Sequence, residues 1–321
     1  MSADAMQSSE RNSWPLVSIL VPSYNHEKYV IECLESIRHL NYSRLELLVS
    51  DDCSLDSTFS LAEQWAQGNA ARFERTLVVR QEKNVGIVKN LQFLFDSARG
   101  DYLAYIASDD AFVESAMPGR VIALQNNPNI DAIFGNAQLI SESGSVLEER
   151  GISKRFAREL SLSRLLVPSL ILTSFVPGPV MMLRREAVLE GGSLGPLPDD
   201  LRTEDWYIYF RMAIRGKLRY LNEVVAKYRV MPNSLSRSPS QYKSMIEAVL
   251  HVDSIFRYLL TGFNRLLIET RIARWKLELT PDNTVAHRIR KLLLRYAVLV
   301  QKSLLFVCAI VLTCGHTPGA V

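Results

Sequence analysis

Between Leu16 and Asn127 the chain switches repeatedly from a short apolar run to a segment with helical spacing. That alternation constrains the fold more than any other feature. The runs are LVSILVP (16–22), LELLVSD (45–51), TLVVR (76–80) and YLAYIA (102–107). Each is short enough for a strand. Between them, EKYVIECLESIRHL (27–40) places Val30, Ile31, Leu34, Ile37 and Leu40 on one helical face. SLDSTFSLAEQWAQ (54–67) opens with capping residues, NVGIVKNLQFLFDSARG (84–100) stops at a glycine, and ESAMPGRVIALQNN (114–127) is mostly helical. A β-α-β-α-β-α-β order predicts an α/β fold, with a mostly parallel sheet and helices on both faces. Ligands of such sheets bind outside the carboxyl ends of the strands.

Beyond residue 130 the pattern loosens. SESGSVLEERG reads as a hairpin or loop and 159–172 as helix, GPVMMLRREAVLEGG (178–192) as strand then helix, TEDWYIYFRMAIRG (203–216) as helix, and VVAKYRV (224–230) as strand. From about Ser240 nearly everything favours helix. Residues 271–302 hold eight Lys or Arg against two acids, followed by the uncharged SLLFVCAIVLTC (303–314). The run is shorter than the ~20 residues of a spanning helix. This tail either packs on the preceding domain or docks on an anionic membrane surface. The net charge is only +3. The basic residues concentrate in an apolar tail with little aromatic interleaving, so nucleic acid is not an expected partner. Cys33, Cys53, Cys308 and Cys314 show no CxxC spacing. They read as core residues in a reducing, cytoplasmic setting. Residues 1–15 are polar, lack a secretory h-region, and are expected to be a disordered leader.

The strand ends carry the acids. Asp51 and Asp52 follow the second strand, and Asp109 and Asp110 follow the fourth. Neighbouring side chains in an extended segment diverge. One carboxylate of the second pair is therefore expected on a sugar hydroxyl and the other on a divalent metal, with magnesium or manganese suited to hard oxygen ligands. The first crossover, PSYNHEKY, has no G-x-G-x-x-G, which argues against a nicotinamide dinucleotide. Asp51 instead suits the N3–H of a uracil-type base, with Pro22 and Tyr24 as wall and stacking face. TEDW supplies Glu204 and Asp205 at a helix start, as capping acids or a general base, and Trp206 for an apolar or sugar face. Arg229 in YRVMPNSLSR either offsets diphosphate charge or forms a surface ion pair.

Together these segments resemble the family 2 inverting glycosyltransferases of bacterial type, which have the Rossmann-like GT-A fold. VSILVPSYNHEKYVIECLESI is similar to that family's opening strand and helix. ELLVSDDCSLDST is similar to its V-D-D-G-S-x-D-x-T motif, with Cys53 in place of the usual glycine. NVGIVKNLQF resembles its N-x-G helix entry, ASDDAF its D-x-D variant, TEDW its catalytic acid motif, and YRVMPNSLS its Y-R-x-H-x-x-S-x-S segment, with Met231 where histidine is common. Six loose motifs in the right order are specific, and they cover residues 16–237. The tail from 238 to 321 reads as a separate helical appendage.

The resemblance implies that Pro22, Tyr24 and Glu27 lie by the nucleotide. Asp52 binds the base, with Asp51 as the alternative. Asn84 and Asn90 border the diphosphate and ribose. Asp109 contacts ribose or sugar, Asp110 holds Mn²⁺ or Mg²⁺, Asp205 is the base, and Arg229 contacts the diphosphate. Glu204 and Trp206 then face the acceptor. The implied reaction moves a sugar, with inversion, from a UDP- or dTDP-sugar to a saccharide or lipid-linked acceptor in cell-surface polysaccharide synthesis, in the cytoplasm or on the inner face of the membrane. A sugar nucleotidyltransferase is the competing enzyme class, but its glycine-rich basic loop after the first strand is missing. A non-catalytic nucleotide-sugar binding module is the other alternative, and the retained acids argue against it.

Overall fold

All seven residues of β1 (Val17–Ser23) and all seven of β2 (Leu45–Asp51) are buried. Strands covered on both faces belong to a sheet held between two other layers. The computed structural model describes residues 14–172, 176, 178–231, 239–280 and 284–314, and in it these strands lie inside such a sheet. Most of the leader and the hydroxyls at 234 and 236 lie outside the described residues. Trp14 and Pro15 do not continue a disordered leader: Trp14 packs edge-on against Tyr42 at 5.4 Å, and the Tyr42 hydroxyl donates to the Pro15 carbonyl at 2.6 Å.

β1 pairs in parallel with β2 and with β4 (Tyr102–Tyr105), and β2 pairs in parallel with β3 (Arg75–Arg80). The chain therefore steps outward from β1 to β3 and returns to β4 on the other side of β1. Right-handed crossovers put α1 (Val30–Arg38) and α2 (Thr58–Asn69) on one face and α3 (Ile87–Ser97) on the opposite one. Consistently, α1 packs on α2, and α3 packs on β1 and β2. The reversal of direction makes a topological switch point between β1 and β4, where a crevice opens beyond the carboxyl ends of the strands.

Past β4 the sheet becomes mixed. Its order continues through β8 (Met181–Arg184), β6 (Ala132–Ile140), β9 (Leu218–Arg229) and β5 (Ala111–Phe112), with β7 (Val146–Glu148) paired to β6. The β4–β8, β8–β6, β6–β7 and β9–β5 pairs are antiparallel. The parallel part is thus the half that the β-α alternation describes. Short helices α4 (Pro118–Gln125) and α7 (Arg185–Val188) link these strands. β6 went unread in the sequence. It is buried almost throughout, so it shows no polar alternation to mark it.

Glu46 puts a charge in the middle of the sheet. Glu46 of β2 is fully buried, yet each carboxylate oxygen has a donor: Arg75 Nη1 at 2.5 Å on one, Ser18 Oγ at 2.5 Å and the Arg99 N–H at 2.9 Å on the other. Pairing and hydrogen bonding together make a buried carboxylate tolerable. Gly100 completes the network by donating its N–H to Ser18 Oγ at 2.8 Å, and a Cβ there would lie 2.6 Å from that same oxygen.

By internal packing the chain forms two units. The first, Met1–Gly151 with Pro177–Asp205 and Leu221–Met231, holds the sheet and the strand-end acids. The second, Ile152–Val176 with Trp206–Tyr220 and Pro232–Val321, is mainly helical. It contains α5 (Lys154–Leu160), α6 (Ser163–Leu172), most of α8 (Glu204–Ile214), α9 (Pro239–Phe256), α10 (Gly262–Leu279) and α11 (Val285–Cys314). The appendage expected from residue 238 is therefore larger than expected. The reason is burial: α10 and α11 cover α6, and α11 also covers α5. Arg271 of α10 sits in the middle of this unit, forming a two-pronged ion pair with Asp253 and donating from Nη1 to the Ile171 carbonyl at 2.8 Å.

Candidate active site

β1 and β4 each end in a loop at the switch point, and the His26 ring joins the two loops through both of its nitrogens. His26 Nε2 lies 3.7 Å from Asp109 Oδ2. The other ring nitrogen, Nδ1, is 2.8 Å from Ser108 Oγ, which fixes the imidazole orientation. Both side chains keep some solvent access, 28% for His26 and 19% for Asp109. Tyr24, in the same β1 loop, is 41% exposed. His26 and Ser108 were not singled out in the sequence, although His26 sits in the crossover PSYNHEKY directly after the first strand.

The other half of the pair faces inward. Asp110 was expected to hold the metal, but it is only 2% exposed, and its Oδ1 accepts the Arg229 N–H at 2.7 Å. Burial, and secondarily the like charge of Asp109, push its carboxyl well above the ordinary range. The accessible carboxylate at this strand end belongs to Asp109. The two side chains diverge as expected, and the one that stays accessible is Asp109 rather than Asp110.

Arg229 was expected at the diphosphate, and its side chain is instead 1% exposed. Nε donates to the Asp109 carbonyl at 2.8 Å, Nη1 to the carbonyls of Ser141 (3.2 Å) and Glu142 (2.9 Å), and Nη2 to Glu32 Oε2 at 2.6 Å. The guanidinium also lies 4.7 Å from the centre of the Tyr29 ring. Every guanidinium nitrogen is committed to protein, so Arg229 is a brace that ties β9 to α1, to the β6–β7 connection and to the Asp109 loop.

The acids after β2 are also turned inward. Asp51 closes its own turn: Oδ1 accepts the Ser54 N–H at 2.9 Å, and Oδ2 accepts the Ser54 hydroxyl. Asp52 accepts the N–H groups of Val85 (2.7 Å) and Gly86 (2.9 Å), one on each oxygen. It thereby clamps the loop that starts α3, where Gly86 has φ +85°, a conformation that favours glycine. Cys53 between turn and clamp has φ +62°, which explains why the family's motif carries glycine there. Asn84, one residue before the clamp, is exposed. Asn90, expected near the ribose, is 1% exposed and donates to the Ser50 carbonyl at 2.8 Å, so it fastens α3 to β2. Pro22 is buried within β1, in register with Ser50. The Glu27 carboxylate accepts the Ser57 N–H at 3.0 Å, which links the β1 loop to the start of α2.

Glu204 and Asp205 occupy the first turn of α8. Both are half-buried, and the Thr203 hydroxyl donates to Asp205 Oδ1 at 2.6 Å. Trp206 does not offer a face to a sugar. It is 6% exposed, with Phe210 at 4.8 Å and the Arg271 guanidinium at 4.9 Å from its ring. Burial, then the neighbouring charge of Asp205, push Glu204 up to about 8 from 4.5. The folded state thus holds this proton more tightly than the unfolded chain. Stability from this group is complete below about pH 4.5 and is lost as pH rises through about 8. Glu204→Gln, which imitates the protonated form, should remove that loss. Thermal unfolding at a series of pH values should show the wild type losing Tm relative to the variant between pH 5 and pH 9; parallel curves would contradict the assignment.

A sheet whose first four strands are parallel and reverse direction at a switch point, continued by antiparallel strands, is the α/β architecture of the GT-A type. Residues 18–192, more than half of the chain, match the family described as Glycosyl transferase family 2, and the chain belongs to that family. It is 24% identical over 223 residues to the putative teichuronic acid biosynthesis glycosyltransferase TuaG of Bacillus subtilis, covering 69% of this chain and 82% of that one. An uncharacterized protein of Mycobacterium bovis is 29% identical over 216 residues, which are 66% of this chain. The match spans only 58% of that relative's length. Among solved structures, Staphylococcus aureus TarS in complex with UDP superposes with TM-score 0.56 at 18% identity, covering 82% of this chain and 71% of that one. The Pyrobaculum calidifontis mannosyltransferase PcManGT, in complex with GDP-Man and Mn²⁺, superposes with TM-score 0.58 at 15% identity, covering 94% and 87%.

Proposed function

We propose that the chain transfers a glycosyl group from a nucleoside diphosphate sugar to a hydroxyl of a saccharide or lipid-linked saccharide, in one inverting displacement. The observation that carries this reading is the pairing of His26 with the accessible Asp109 carboxylate at the β1–β4 switch point. UDP, UDP-GlcNAc and GDP-Man in the neighbouring structures support the nucleoside diphosphate class of donor. A UDP- or dTDP-sugar remains the donor we expect. The family membership favours transfer over nucleotidyl transfer or mere binding.

In this reaction the acceptor oxygen forms a bond to the anomeric carbon while the bond from that carbon to the diphosphate breaks. The electron pair leaves with the nucleoside diphosphate, and Asp205 takes the hydroxyl proton. Asp52 and Asp51 are positioning residues that hold the loops bordering the donor, and Tyr24 offers an exposed ring for the base. Among the described residues no three ligating side chains cluster. Mg²⁺ or Mn²⁺ would take one or two carboxylates from protein and the rest from phosphate and water. Asp109, with the His26 ring beside it, would hold the ion. When bound, it would stabilise the charge on the departing diphosphate. A reducing, cytoplasmic setting is the compartment we expect for the chain.

A panel of nucleotide sugars, scored for Mn²⁺-dependent binding and turnover, tests the reading; silence from every member would reject it. Asp109→Asn should lower turnover about 10²–10³-fold and abolish the metal dependence of donor binding. Asp110→Asn should cost less than about tenfold, because its amide oxygen still accepts the Arg229 N–H. The opposite order would return the metal to Asp110.

A further inference from the structure

Among the described residues, no helix is long and apolar enough to cross a membrane. Yet α11, of 30 residues, carries far more exposed apolar surface than a water-facing helix needs. Its inner side is set by Leu294, Val298, Gln301 and Leu305, at spacings of four, three and four, and packs against α10 and α6. The outer side bears Ile289 (52% exposed), Leu292 (69%), Leu293 (62%), Tyr296 (66%), Leu299 (62%) and Leu304 (52%). At 100° per residue these fall in one stripe about 22 Å long. Scattered exposed leucines need no explanation, but a contiguous stripe of six large side chains does.

The charges around the stripe say what covers it. Arg288, Arg295 and Lys302 recur every seven residues along one flank, and Arg290 lies on the other. The helix contains no Asp or Glu. A second copy of this helix laid face to face would set cations against cations, which disfavours self-association. An apolar face flanked by cations matches a helix lying in the plane of a lipid interface, its aliphatic side chains in the acyl boundary and its cations among anionic headgroups.

We propose that the outer face of α11 docks on an anionic phospholipid surface. This goes beyond the transfer reading and does not depend on it. In sedimentation of the full chain with phosphatidylcholine vesicles, adding phosphatidylglycerol should raise the bound fraction, and salt should lower it. Replacing Leu292, Tyr296 and Leu299 together by serine should lower partition at least about tenfold. Arg288→Gln and Arg290→Gln should each lower it about fivefold on anionic vesicles and scarcely at all on neutral ones. All five positions point outward or lie on the flanks, so circular dichroism and Tm should be unchanged. Equal partition of the wild type and the serine variant would overturn the proposal. So would a wild type that ignores vesicles and sediments as a dimer that the serine variant dissociates, because the face would then belong to a second copy. The assay reads bound mass, so a failure of the transfer reading leaves its outcome intact.

Discussion

Asp205→Asn should lower sugar transfer about 10²–10⁴-fold, the usual share of a general base, while donor affinity stays within a factor of two or so. The substitution keeps the shape of the side chain and its ability to accept the Thr203 hydroxyl, now seen at 2.6 Å. It removes only the capacity to take a proton. The acceptor hydroxyl must then lose its proton to water while it attacks, and the barrier rises. Nothing in the donor requires that proton acceptor, so calorimetric binding of the nucleotide sugar should survive. Loss of donor binding along with turnover would move Asp205 from the acceptor side to the donor side. Thr203→Val gives the scale for positioning alone: one hydrogen bond of about 1 kcal/mol is worth five- to tenfold in rate. Asp205→Asn should exceed it clearly. Equal losses would make Asp205 a helix-capping acid, as its place in the first turn of α8 also permits.

What the sequence reveals of this site follows a physical boundary. The parallel strands and their helices were legible because periodicity reports which face of an element is buried. Strand-end placement of Asp51, Asp52, Asp109 and Asp110 followed from that. The direction of each carboxylate did not. Asp109 and Asp110 are neighbours in one loop, and which of them turns inward depends on where the Arg229 N–H arrives, 119 residues beyond Asp110. Trp206 follows Asp205 on a helix, and one 100° step turns it from the acid's environment into contact with Phe210 and Arg271. Asn90 was legible as a helix residue, but its burial against Ser50 of β2 needed the sheet register. Strand β6 was lost for a related reason: residues buried on both faces carry no alternation. Cys53 is the opposite case, since its left-handed φ of +62° was foreshadowed by glycine at that place in the family motif.

Arg229→Met should destabilise the fold by about 3 kcal/mol and slow transfer as a consequence. The figure sits at the low end of the range for breaking a buried ion pair because the partners are unequally buried: the Arg229 side chain is 1% exposed and Glu32 is 51% exposed. Once the guanidinium is gone, Glu32 relaxes into water, so little charge is stranded. The larger loss comes from the carbonyls of Asp109, Ser141 and Glu142, which lose their donors, and from the vacated face of Tyr29. Glu32→Gln should cost only about 1 kcal/mol, since its amide oxygen still accepts from Nη2 and the other contacts persist. Urea unfolding of both variants measures the asymmetry directly. The Asp109 carbonyl is one of the stranded groups, so Arg229→Met also loosens the loop that presents the Asp109 carboxylate. If Arg229 acts through that loop, the variant should weaken the metal dependence of donor binding at low temperature, where the fold is intact, and should add nothing to the loss already made by Asp109→Asn. A residue bound to the diphosphate would instead weaken donor binding further in the double variant.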